Sequence, residues 1–446
     1  MKDSLGLFGH TDDPDGRGSG GTDHTGEYDM AELRAALRTS RTDQATLPRE
    51  PTRERRALRL ADENRRRRRR RSSLVAVIVL LLIAGGTFFL VRTWSTEEVV
   101  PPADFVGAGT TETVVRVNAN DGSRQIGTAL FDAKVVASVE AFVADADGDD
   151  GMRGIQPGYY KVRQGASASA AVAALLDDQN RVGRIDLIPG VTLADTRTPT
   201  GETASPGYVT QITQAACVPL NGVADCFTTD ELWQQIRTAD VASMGLVDWA
   251  VQRVAANPDL DHRLEGMIAP GVYNIPPTDD PAVVLRYLLG ASAVYWNTSG
   301  ISTQAAGANG DDPYELAVIA SLIEREAITG DMGKVSRVIQ NRLGVPMRLQ
   351  LDSTVNYARN ESQIATTEAD RLDAGSPYNT YAHEGLPPTP IGGIGPDALA
   401  AALRPADGDW LYFVKVNPKT GQSCFSATLE AHNACVEQAR AAGVFG

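Results

Sequence analysis

The sequence predicts an α+β protein carried on a single-pass membrane anchor, with a small folded module ahead of a larger mixed one. Three observations lead there. Residues Leu74 to Val91 contain no charged side chain. Beyond them, segments with helical spacing and segments of alternating apolar residues are interspersed without the regular strand–helix repeat of a parallel sheet. Apolar residues make up 42% of the 446, enough to bury sizeable cores in two or three domains.

Residues 1–73 are rich in Gly, Asp, Thr and Arg and poor in aromatics, the composition of a disordered tail. They hold 17 Lys/Arg against 13 Asp/Glu, a net of +4, which leaves −18 for the rest of a chain whose total is −14. Such an acidic remainder argues against a nucleic-acid partner, because phosphate contacts need Lys and Arg. Seven consecutive arginines, Arg65 to Arg71, lie just ahead of the apolar run at 74–91. Its 18 residues would extend roughly 27 Å as a helix, near the hydrocarbon thickness of a bilayer. A cleaved signal peptide does not fit, since 73 residues precede the run. Arginines before it and Glu97, Glu98 and Asp104 after it predict a cytoplasmic N-terminus and a chain that is outside the cytoplasm from about residue 92. Residues 92–110 read as a linker, broken by Pro101 and Pro102. The four cysteines, Cys217, Cys226, Cys424 and Cys435, all fall on the expected outer side, where disulfides persist. Three connectivities are open; pairing of neighbours, Cys217 with Cys226 and Cys424 with Cys435, is the expected one. A zinc set of Cys424, His432 and Cys435 lacks a fourth ligand at ordinary spacing, so no metal is expected.

Residues 111–180 read as strand, helix, strand, helix: "TVVRVNAN", "GSRQIGTALFDAKVV", "GYYKVRQG" and "ASASAAVAALLDD". That is a compact α/β module. From 181 to 446 the elements are mixed. "GRIDLIPGV" is a strand running into a Pro-Gly turn; "TTDELWQQIRTA" is a capped helix; "LEGMIAPGVYNI" is a strand and turn. "DDPYELAVIASLIEREA" is a helix with Pro313 in its first turn, followed by the helices "DMGKVSRVIQNRL" and "GPDALAAAL" and the strand "WLYFVKVN".

The helix ending in "ASLIEREA" carries two glutamates. At 100° per residue Leu316, Val318, Ile319, Leu322 and Ile323 define one face, and Glu326 falls near its middle. Glu324 falls on the other side with Ala317, Ala320 and Ser321, the place of a solvated or hydrogen-bonded residue. A carboxyl among apolar groups is poorly solvated, so its pKa rises and it can hold a proton for general-acid work. The competing readings are a solvated helix end, or an ion pair with Arg342 or Arg348.

Three separated segments, "ASLIEREA", "VIQNRLGVPMRLQLDSTVNYA" and "SPYNTYAHEGLPPTPIGGIG", resemble the catalytic domain of the membrane-anchored endolytic murein transglycosylases, the YceG-like (MltG) family. The resemblance is specific over roughly 315–403 and reaches 111–446 in outline. It implies a LysM-like module at 111–180 and a transglycosylase domain at 181–446. It implies that Glu326 is the catalytic acid, cleaving the bond between N-acetylmuramic acid and N-acetylglucosamine with formation of a 1,6-anhydro ring and no cofactor. Gln350, Tyr378, Asn379 and Tyr381 are the expected groove residues, with loop-locking hydrogen bonds as the alternative for each; Asn341 and Asp352 are expected to support the site. Implied partners are peptidoglycan glycan strands and cell-wall synthases (penicillin-binding proteins), with termination of nascent strands as the implied role. Three departures stand out. Ala327 replaces Thr or Ser, Ser353 replaces Pro, and the Asp-Thr before Tyr is missing from "APGVY". A murein-binding scaffold without catalysis is the rival reading.

Overall fold

The structure, a computed structural model, describes residues 77–89, 101–198, 200–303, 312–361 and 366–444. Two units separate after Val99. In the first, residues 77–89 form an exposed helix inside the expected span. The ends of that span and the tail at 1–73 lie outside the described residues. Among the described residues no helix is long and apolar enough to cross a membrane.

The second unit begins with the small module. Strand β1 (Ala108–Val117) pairs antiparallel with β2 (Gly158–Ala166), which pairs with the short β3 (Arg181–Val182). Helices α1 (Ser123–Asp132) and α3 (Ala168–Leu176) pack on the sheet, and α2 (Val139–Asp147) packs against both helices. Helix α2 is an addition to the expected order: "VEAFVADAD" runs into acidic residues, yet Ser138 caps it and Phe142 is buried. Val115, Leu130, Phe142 and Tyr160 belong to a core of the module's own. Its sheet extends two residues past the boundary expected at 180.

Gly183 alone separates β3 from β4 (Arg184–Leu187), which pairs with β7 (Gly271–Asn274) in the larger domain. Strands β5 (Thr196–Arg197) and β6 (Thr203–Ser205) form a small ribbon. Helices α4 (Tyr208–Ala216), α5 (Thr229–Thr238), α6 (Asp248–Ala256) and α7 (Pro281–Thr298) share one core with α8 (Pro313–Glu326), against which α6 packs directly. Then follow α9 (Met332–Leu343), α10 (Asp352–Ala358), α11 (Glu368–Leu372) and α12 (Pro396–Leu403). The hairpin of β8 (Tyr412–Lys415) and β9 (Ser423–Ser426) and helix α13 (Leu429–Ala441) close the chain. The order is mixed α+β, as expected.

Helix α8 is the axis of this domain. Pro313 starts it and Asp312 caps it, accepting from the Tyr314 N–H at 2.9 Å. Every residue from Leu316 to Ile323 is buried. The side of the helix that carries Ala317, Ala320 and Ser321 is thus as buried as the aliphatic one. Those residues are small, so α12, itself alanine-rich, packs along them. A helix buried all round needs no polar stripe. Both cysteine pairs are disulfides, Cys217–Cys226 and Cys424–Cys435, with S–S distances of 2.14 and 2.01 Å.

Candidate active site

Glu326 is the last residue of α8, at the edge of the domain core. The side chain is partly buried, and loss of water around the carboxyl raises its pKa. Hydrogen bonding from Ser353 and the charge of Lys415 pull the other way, while Asp352 adds to the rise. The Ser353 N–H donates to Glu326 Oε1 at 3.3 Å. Ser353 is the second residue of α10, where main-chain N–H groups have no partner inside the helix. The competing ion pairs are absent. Arg342 donates instead to the carbonyls of Leu411, Arg348 and Leu349, and Arg348 to that of Tyr381.

Glu324 is hydrogen-bonded elsewhere. Its Oε2 accepts from the Gly395 N–H at 3.1 Å, at the cap of α12, and burial raises its pKa as well. Arg325, between the two, donates to the Gly190 carbonyl at 2.7 Å. The two residues ahead of Glu326 thus tie the helix end to the paired backbone at Gly190 and Gly393–Gly395.

Asp352 lies beside Ser353 at the start of α10 and is fully engaged. It accepts from Tyr381 Oη at 2.8 Å, Thr366 Oγ1 at 2.6 Å, and Arg371 Nε and Nη2 at 3.2 Å each. The Arg371 guanidinium also lies over the Tyr381 ring, 5.1 Å from its centre. A carboxylate so occupied is a brace, not a free base. The segment after α11 is locked to α10 by Thr380: its hydroxyl is 2.9 Å from that of Thr354 and accepts from the Leu351 N–H at 3.0 Å.

The other expected residues divide. Tyr381 is brought to the Glu326 side of the site. Gln350 is exposed, with its backbone in the left-handed region at φ 53° and its N–H on the Thr380 carbonyl at 3.1 Å. Tyr378 is only 3% exposed; it packs against Tyr357 and His262, and its hydroxyl is 3.1 Å from Thr389 Oγ1. Asn379, 2% exposed, donates to the carbonyls of Asp370, Arg371 and Asp373 and accepts from the Tyr381 N–H. These two hold the loop from within. Asn341 donates to the carbonyls of Gly408 and Trp410, fixing the approach to β8. Sequence reasoning did not single out Lys415, Thr366 or Arg371, and took Ser353 only as a departure. Nothing in the spacing links Lys415 to Glu326; only the β8–β9 hairpin does. Buried Asp331, just after α8, accepts from the Ser423 N–H at 2.8 Å, and Ser423 pairs with Lys415.

The sequence model of the YceG-like family matches residues 115–438, which take in most of both modules and every site residue named above. The chain belongs to the YceG-like family. Among relatives, it is 36% identical over 185 residues to an endolytic murein transglycosylase of Bacillus subtilis, covering 41% of this chain and 49% of that protein. It is 32% identical over 162 residues to one of Streptococcus pneumoniae, covering 34% and 28%. The chain thus spans about half the length of the first relative and little over a quarter of the second. A crystal structure of a YceG-like protein of Listeria monocytogenes is similar at 27% identity and a TM-score of 0.46, covering 72% of this chain and 98% of that one.

Proposed function

We propose that this YceG-like protein is an endolytic lytic transglycosylase of peptidoglycan, with Glu326 as its acid. One observation carries the reading. A desolvated carboxyl at the end of the central helix has its pKa raised and takes an N–H bond on one oxygen. The names of the curated relatives support the substrate class.

In the proposed reaction the Glu326 proton passes to the glycosidic oxygen between N-acetylmuramic acid and N-acetylglucosamine as the C1–O bond breaks. The muramyl C6 hydroxyl closes on C1 and gives its proton to Glu326, which is thereby restored. No water is consumed and the product is a 1,6-anhydro end. The substrate's N-acetyl group assists at C1, so a second carboxylate is not needed, in contrast to glycoside hydrolases. The commitment of Asp352 to Arg371, Tyr381 and Thr366 is in keeping with this. Gln350 and Tyr381 contact the sugars, and Tyr378, Asn379 and Asn341 hold the surfaces on which those residues sit.

The membrane anchor belongs to the same proposal, with residues 74–91 spanning the bilayer, the N-terminus in the cytoplasm and the catalytic domain outside. The arginine run and the two disulfides support that placement. A LysM-like role for the small module, a place beside penicillin-binding synthases and termination of nascent strands complete the reading.

The test is Glu326→Gln in the full-length protein, with products of glycan digestion read by mass spectrometry. A folded variant with at least ~10²-fold loss of anhydro ends is expected. Undiminished activity in the variant overturns the role of Glu326. Reducing ends from the native protein mean a muramidase, and no products mean a scaffold.

A further inference from the structure

Ser353 stands out beside Glu326 because it offers two donors. Its N–H reaches Glu326 Oε1 at 3.3 Å. Its hydroxyl is buried without a hydrogen-bond partner in a residue that is 8% exposed, in a helix first turn where the family motif described above has proline. Proline would keep the turn but supply neither donor. The charged and titratable groups facing Glu326 are Lys415 from β8, Asp352 from α10 and Tyr381 from the loop after α11. Asp352 and Tyr381 are bonded to each other, and Asp352 is paired with Arg371.

A neutral carboxyl has one O–H and one oxygen left to accept. An N–H fixed on Oε1 makes that oxygen the acceptor and leaves the proton for Oε2. A buried hydroxyl without a partner is costly, and costs least if it finds one during the working cycle. We propose that Ser353 is a positioning residue for Glu326: its N–H assigns the acid proton to Oε2, and its hydroxyl turns onto the carboxylate once that proton has left. This rests on the role given to Glu326 above and deepens it. Ser353 eases release of the proton by stabilising the charged form, against a burial that resists it. Burial raises the pKa of Glu326, and the Ser353 N–H bond opposes that rise.

The experiment is carbon-13 NMR titration of the Glu326 carboxyl in the full-length protein labelled at glutamate Cδ. Glu326→Gln assigns the signal. Removing a donor to the charged form raises the midpoint. Ser353→Ala should raise it by about half to one pH unit, Ser353→Pro by more, and Ser353→Thr, which keeps hydroxyl and N–H, should leave it near the native value. The alkaline limb of anhydro-end formation should move by the same amounts. Native-like midpoints in both the Ala and Pro variants overturn the proposal. If the Pro variant does not fold, the Ala and Thr variants decide it through the hydroxyl. A shifted midpoint with no anhydro ends from the native protein leaves the Ser353 assignment standing and removes the transglycosylase reading.

Discussion

Glu265, 2% exposed, takes no part in the chemistry proposed for Glu326. Its carboxyl accepts from the Leu193 N–H at 3.1 Å and from Tyr357 Oη at 3.1 Å, and burial pushes its pKa up to about 8. In the unfolded chain it titrates near 4.3. Between those values the folded protein binds a proton that the unfolded chain does not, so this residue lowers stability as pH rises through the window. The slope approaches about 1.4 kcal/mol per pH unit. Urea unfolding of Glu265→Gln across pH 5 to 8 should show that component of the slope removed; an unchanged slope means the carboxyl is ionised in the fold. Glu324 and Glu326 make a related point. Both pKa values are raised by burial, so desolvation alone does not separate them. What separates them is the partner: a helix cap at Gly395 for one, a donor beside the bracing Asp352 for the other.

Helix α9 bears on the site through Arg342. Arg342, 7% exposed, carries the carbonyls of Leu411, Arg348 and Leu349 on one guanidinium and so joins α9 to β8 and to the approach to α10. Arg342→Met should cost about 2–4 kcal/mol, because buried acceptors lose their donor, and Arg342→Lys should restore only part of it. Urea midpoints check both. Asp331→Ala should free β9 and with it Lys415, at about 1–3 kcal/mol, seen as faster hydrogen exchange at Ser423. Legibility in the sequence followed local signals. Pro313 and the aliphatic spacing revealed α8, and a Thr/Asp cap with helical spacing revealed α5. Helix α7 escaped because Gly290 interrupts it and its residues have no polar side. Helix α10 escaped because it is only seven residues long. At the site, the desolvation of Glu326 was legible because helical spacing alone sets it on the apolar face of α8. For Tyr378 and Asn379 groove contact and loop-locking were both open, because residue type does not reveal that a loop turns them inward.

Across the whole second unit, the small module is held at three places. The Cys217–Cys226 disulfide closes a loop whose tip, Asn221-Gly222, turns with positive φ at both residues, the geometry of a tight hairpin. Asn221 is bonded reciprocally to Glu112 of β1: the Glu112 N–H donates to Asn221 Oδ1 at 2.7 Å and the Asn221 N–H to Glu112 Oε2 at 2.9 Å. Arg181 links the Pro157 carbonyl to Asn274 of β7. Asn221→Ala should speed exchange of the Glu112 amide while changing global stability by less than about 1 kcal/mol, since the contact is exposed. The third place is Gly183. Its φ is +72°, its carbonyl accepts from the Ile275 N–H at 2.7 Å, and a Cβ there would lie 2.2 Å from the Ile275 oxygen. Gly183→Ala should therefore cost more than about 1 kcal/mol in a urea melt. A joint with no slack and no side chain is a weld. The reach from the point where the chain enters this unit to the carboxyl of Glu326 is therefore set when the protein folds, and whatever Glu326 acts on has to come to it at that distance.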